Sequence, residues 1–197
     1  MLNIFKSDQH AKAYKALLAN DLEKFAKSLQ KIDADKIDLP VSDNTPSLAE
    51  CCILEQNPKA LQSVIDKGAN PDKKSLSQPE YHLAELTLLQ EQSLPLLTVL
   101  LKAIPQTIDS DLLLKCFQLK QDSTLMLHLS LLLQNGAELN DEIVHLALIS
   151  EDLPLIHFII NSGANQPSML AEQGYSEEVI AYAQRCWNDL KIREMFL

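Results

Sequence analysis

His145-Leu-Ala-Leu-Ile-Ser-Glu-Asp-Leu-Pro-Leu-Ile-His-Phe-Ile-Ile-Asn-Ser-Gly-Ala-Asn165 reads as a short helix, a two-residue turn and a second helix, stopped by Gly-Ala-Asn. Glycine enters positive φ without a Cβ penalty, which is how many helices end. Altered copies of the same sentence recur along the 197-residue chain. Aligned on the residue that closes each second helix (Ile32, Gly68, Ala103, Gly136, Gly163), the copies step by 36, 35, 33 and 27 residues. Seven positions before each marker stand Phe25, Leu61, Leu96, Leu129 and Ile156; three before stand Leu29, Ile65, Leu100, Leu133 and Ile160. The two positions are four apart in every copy, so they share one helix face.

That register predicts six units: 10–37, 45–70, 79–105, 110–138, 142–165 and 167–197, in one domain over residues 1–197. The first, rich in lysine, suits an end cap whose outer face meets water. In the second, Thr45 is expected to cap a helix that starts at Pro46, and Asn70-Pro71 blocks continuation past Gly68. The third ends on Ala103-Ile-Pro105 without a glycine, so Pro105 is expected to terminate it. The sixth is expected to be a hairpin over Pro167–Ala183. A tail helix follows, whose Met195-Phe196-Leu197 end folds back over the open side. Connections shorten along the chain, so the early loops have room to form fingers and the late ones do not.

The formal charge is −10, and no Lys or Arg occurs between Gln121 and Gln184. Such a surface repels phosphate backbones and anionic lipid, which argues against nucleic acid and membrane as partners. No stretch approaches the ~20 apolar residues of a membrane span. The four cysteines form no Cys-x-x-Cys pair and read as reduced core residues, which suits a cytoplasmic protein. The 46% apolar content and sparse aromatics fit helix-on-helix packing, an all-α fold. Nine-residue helices do not persist alone. Stacking would bury their apolar stripes at roughly 1.5–3 kcal/mol per covered Leu or Ile.

The wording of the units resembles the ankyrin-repeat family, whose pattern is Thr-Pro-Leu-His-x-Ala-Ala, a turn, a Leu-rich helix and Gly-Ala-Asp/Asn. Val144-His145-Leu146-Ala147, Ile159-Ile160 and Gly163-Ala164-Asn165 match it without a gap. Thr45-Pro46, Tyr81-His82-Leu83-Ala84, Gly68-Ala69-Asn70 and Gly136-Ala137 match in parts. The resemblance implies an ankyrin-type α-solenoid of stacked helix-turn-helix repeats that binds another protein through its concave face and loop tips. It implies that His145 bonds backbone across repeats, and that Ile149 and Ser150 are partner contacts. Polar loop-tip candidates are Asp43, Asn44, Lys73, Lys74, Ser75, Glu138 and Asp141.

Motifs for nucleophilic, nucleotide or zinc chemistry are missing from the sequence, so no catalytic, cofactor or metal residues are assigned. His128 and His157 stand in adjacent second helices but lack further ligands at helical spacing. The expectation is a monomeric protein–protein interaction module. One alternative is an acidic inhibitor or immunity-like protein that neutralises a basic target. Another is a small helical enzyme with an unrecognised site near His128 and His157.

Overall fold

A helical hairpin needs a residue that reverses the chain, and three hairpins here use the same device. Asn20, Gln56 and Glu151 each adopt a left-handed conformation, with φ of 51°, 50° and 53°. Each is followed by the residue that caps the next helix: Asp21, Asn57 and Asp152 accept the N–H of Lys24, Ala60 and Leu155. Short polar side chains satisfy the orphan amides of a helix start. The cap sits where the second helix must begin.

The computed structural model describes residues 7–42, 45–104, 110–120, 123–168, 170 and 174–196. Among these residues the chain is all-helical, with extended pairing confined to two isolated bridges. It divides into two compact units, residues 1–106 and 107–197.

The first unit holds α1 (Ser7–Leu18), α2 (Leu22–Leu29), α3 (Leu48–Leu54), α4 (Pro58–Asp66), α5 (Leu83–Leu88) and α6 (Ser93–Ala103). They pair as three hairpins: α1 with α2, α3 with α4, α5 with α6. The first helices also pack side by side, α1 on α3 and α3 on α5, and the second helices do likewise, α2 on α4 and α4 on α6. Two layers of helices therefore share one core, with Phe25, Leu61, Leu96, Leu97 and Leu100 among its fully buried side chains. The second unit holds α7 (Ser110–Leu119), α8 (Leu125–Gln134), α9 (Asp141–Ile149), α10 (Leu153–Asn161) and α11 (Glu177–Glu194). Here α7 pairs with α8, α9 with α10, α7 lies beside α9, and α11 packs on α10.

The aligned apolar positions explain the core with one adjustment. All five residues of the earlier position are buried. Of the later position, Leu29, Leu100 and Ile160 are buried, while Ile65 and Leu133 are only partly so. In those two helices Val64 and Leu132, one residue back, take the buried place. The contact face is rotated there by about 100°, one residue's turn of an α-helix.

Gly68, Gly136 and Gly163 have φ of 110°, 92° and 98° and stop α4, α8 and α10 as expected. At Gly68 the stop is closed by Ala69 N–H to Val64 O and Gly68 N–H to Ile65 O, the paired bonds of a Schellman end. The alanine after each of these glycines (Ala69, Ala137, Ala164) is buried.

Several expectations change. Thr45 does not cap α3, and Pro46 is not its first residue. Ser47 is the cap, in a reciprocal box where Glu50 N–H donates to Ser47 Oγ and Ser47 N–H donates to Glu50. Thr45 instead closes a turn, accepting the Ser42 N–H at 2.6 Å. Residues 169 and 171–173, where the first helix of the expected sixth hairpin falls, lie outside the described residues, and the expected tail helix continues the second one. After Gly174, at φ 75°, Ser176 caps a single unbroken helix that runs to Glu194. Its Cys186 and Trp187 are buried, and the indole N–H donates to Ala164 O at 2.9 Å. Met195 and Phe196 do not fold back; they are 82% and 85% exposed. Pro105 and Leu197 lie outside the described residues.

The early connections double back on themselves. Pro40 pairs with Ser47, and Lys74 with His82, each in an antiparallel bridge. The second of these fingers is held by Glu50, a carboxylate with no exposed surface. Its Oε1 accepts from Ser75 Oγ at 2.6 Å, Leu76 N–H at 2.8 Å, and Ser77 N–H and Oγ at 3.0 and 3.1 Å. Its Oε2 accepts from Ser47 N–H at 2.8 Å. Burial pushes this carboxyl up, but the donors from Ser75, Ser47 and Ser77 outweigh it and hold it below the usual range. A buried charge is tolerated here because neutral donors surround it.

A candidate partner-binding cleft

In the second unit, α7 and α9 lie side by side, and the start of α8 and the α9–α10 turn close the ends of the space between them. The walls are apolar: Leu114 and Phe117 from α7, Leu125 and Met126 from α8, Leu146 and Ile149 from α9, and Leu155 from α10. Gln118, Ser123 and Ser150 add polar edges, and Glu142 and Asp152 are the charged residues of the described lining. The cleft is about 580 Å³, within the range of binding pockets.

Ile149 stands at the lip, 56% exposed. Its position follows from the turn. It is the last residue of α9, and Glu151 reverses the chain two residues later, so nothing in the hairpin covers its side chain. Ser150 is engaged in that reversal: its hydroxyl donates to Ala147 O at 2.7 Å and accepts the Asp152 N–H at 3.2 Å. Of the two residues that the resemblance marked, Ile149 presents a free apolar surface, while Ser150 also serves the turn.

Leu18 and Leu54 hold the same place two residues before Asn20 and Gln56, and both are exposed. Leu89, which closes α5, is exposed as well. Aligning the units on their turns, rather than on the ends of their second helices, would have singled out Leu18 and Leu54.

The loop-tip candidates divide. Ser75 is a correction: it is buried against Glu50 and presents nothing to a partner. Lys73 Nζ donates to Asp38 O at 2.9 Å, tying its finger to the preceding connection. Lys74, Glu138 and Asp141 are exposed. Asp141 edges a shallow depression with Glu142, His145, Pro167 and Ser168, apart from the apolar walls of the cleft. Asp43 and Asn44 lie outside the described residues.

The groups that could carry chemistry are engaged elsewhere. His10 meets Lys36 O at 3.0 Å and His128 meets Thr124 O at 2.8 Å. The His145 ring bonds the Tyr175 hydroxyl rather than backbone, with ring centroids 5.6 Å apart. His157 lies 3.6 Å from Cys186 Sγ. All four cysteines are buried thiols. Burial pushes the Cys51 thiol up to about 12, Cys52 well above its ordinary value, and Cys186 upward. Burial thus favours the protonated form of the Cys186 thiol beside His157. Among the described residues no three His, Cys, Asp or Glu side chains are grouped to hold a metal, and no helix is long and apolar enough to cross a membrane.

No protein-family model, curated protein or solved structure matches this chain.

Proposed function

We propose that this chain is a protein–protein interaction module of the ankyrin-repeat type, and that the cleft between α7 and α9 is its principal contact surface. Four features support the repeat type: paired short helices, side-by-side packing of first helices and of second helices in the first unit, glycine-stopped second helices followed by a buried alanine, and connections that fold back as fingers. The observation that carries the function is Ile149, a large apolar side chain presented to solvent at the mouth of an apolar cleft. Such anchors dominate recognition surfaces. The histidines and thiols described above are spent on structural contacts, which favours binding over catalysis. Buried thiols suit a reducing compartment, and we place the protein in the cytoplasm.

The charge at the cleft favours a more specific form of the same reading, an inhibitor or immunity-like protein that occupies a basic target. Glu142 and Asp152 border the apolar walls, and the sequence from Gln121 to Gln184 supplies no cation to offset them. A basic surface would be steered to this side.

The test is Ile149→Asp. A partner recovered from extract of the native cell should lose at least tenfold in affinity, with the far-ultraviolet circular dichroism unchanged because Ile149 supports no core. Undiminished binding would remove the cleft from the interface. For the inhibitor form, affinity should fall steeply between about 50 and 200 mM salt; insensitivity would leave only apolar recognition.

A further inference from the structure

Asn135-Gly136 is the one Asn-Gly step in the chain, and it forms the stop of α8. A glycine after asparagine leaves its backbone nitrogen open to the asparagine side chain, because no Cβ crowds the approach. The reaction this permits is intramolecular. The Gly136 nitrogen gives up its proton and bonds to Asn135 Cγ, and the Asn135 side-chain nitrogen takes up a proton and leaves as ammonia. Water then opens the five-membered imide at either carbonyl, which leaves an aspartate or an isoaspartate in place of the asparagine. Water is the only reactant supplied from outside the chain.

The folded helix end ties down both reacting groups. Gly136 N–H, the nucleophile, donates to Leu133 O at 3.1 Å. Asn135 Nδ2, the leaving group, donates to Leu131 O at 2.8 Å. Gly136 turns to φ 92°, and the buried Ala137 donates its N–H to Leu132 O at 3.1 Å. These bonds lie near the surface: Gly136 is exposed and Asn135 half-buried. They open with the last turn of the helix, at less cost than unfolding the whole unit.

We propose that Asn135 is a modification site, converted to aspartate or isoaspartate through the imide when the end of α8 opens, and that conversion then keeps that end loose. The product carboxylate has no N–H to return to Leu131 O. It also sets a negative charge against the carbonyl end of the helix, where the dipole disfavours it. The isoaspartate form adds a backbone carbon ahead of Gly136, which puts the Gly136 and Ala137 amides out of register with Leu133 O and Leu132 O. Opening of the α7–α8 hairpin is thereby recorded irreversibly in the covalent chain.

The experiment incubates the full chain at mildly alkaline pH, where the amide nitrogen loses its proton more readily, across a urea series. Peptide mass spectrometry reads, at each asparagine, the mass gain of an amide-to-acid exchange and its isoaspartate share. In denaturing urea Asn135 should convert faster than every other asparagine. Without urea it should convert at least about tenfold more slowly, yet faster than the globally unfolded fraction from the denaturation curve allows. Asn135→Gln, whose longer side chain closes the ring poorly, should abolish the gain at that position. The purified converted chain, and Asn135→Asp as its simpler counterpart, should exchange the Gly136 and Ala137 amide protons at least about tenfold faster than wild type. Equal rates with and without urea, folded conversion no faster than global unfolding allows, or unaltered amide exchange in the converted chain would each overturn the proposal.

Discussion

Removing the Glu50 carboxylate should loosen the finger over residues 73–82 and destabilise the first unit. Glu50→Ala leaves the Ser47, Leu76 and Ser77 amides and the Ser75 hydroxyl without the acceptor they now share at 2.6–3.0 Å. A hydrogen bond to a charged group contributes about 1.5–3 kcal/mol. Leu76 and Ser77 are exposed enough for water to replace part of what they lose. The expected cost is therefore roughly 3–5 kcal/mol, the range for breaking a buried ionic network by deleting one partner. Glu50→Gln keeps the volume but places an amide donor where one oxygen accepted, and should cost about 2 kcal/mol. The pH dependence has a definite sign. The Glu50 carboxyl is held below its ordinary range, so its contribution is complete above the unfolded value of about 4.3 and is lost as pH falls through the folded value. Urea denaturation followed by circular dichroism at neutral pH and near pH 3 measures both effects, and the difference between wild type and Glu50→Gln should shrink at the lower pH. Trp187 fluorescence, which reports the second unit, provides the internal comparison. A loss below about 0.5 kcal/mol in Glu50→Ala, within the range of an ordinary surface substitution, would contradict a finger held by the Glu50 carboxylate.

Gly163→Val should cost more than about 1 kcal/mol. Nothing stands within 4 Å of a Cβ built there, so the penalty is the strain of a β-branched residue at φ 98°, and an unchanged denaturation midpoint would contradict it. Trp187→Phe should cost about 1–2 kcal/mol by leaving Ala164 O without its buried indole donor, measured by chemical denaturation; a neutral result would mean that water replaces the bond. Thiol reagents at pH 8 should label the native protein only as fast as it opens, with Cys51 and Cys52 as slow as global unfolding. Rapid labelling of Cys51 would contradict a thiol pushed up to about 12.

The second helices were legible in the sequence because their signals are local. A glycine at the stop and apolar residues four apart mark α4, α8 and α10, each of which ends two residues before its glycine. The reversals were less legible, since Asn20, Gln56 and Glu151 adopt positive φ without being glycine. The Glu50 network was hidden because its partners are separated by 25 residues or more, and a capping-box spacing says nothing about what lies above it. For the same reason Ser75, a polar residue in a polar loop, read as surface. The end of α11 misled because apolar residues are expected to find cover, whereas Ile192, Met195 and Phe196 lie off the helix face that packs. At the candidate site, Ile149 came from the ankyrin resemblance. The cleft behind it came from the packing of α7 beside α9.

The most direct test is site-specific photo-crosslinking in the native cell, with a photoreactive residue placed once at Ile149 and once at His157. Both positions are exposed, but His157 lies on α10 outside the described lining of the cleft. A recognition surface at the cleft should give discrete protein adducts from position 149 and only background from position 157. Equal yields at the two positions, or none at 149, would contradict it.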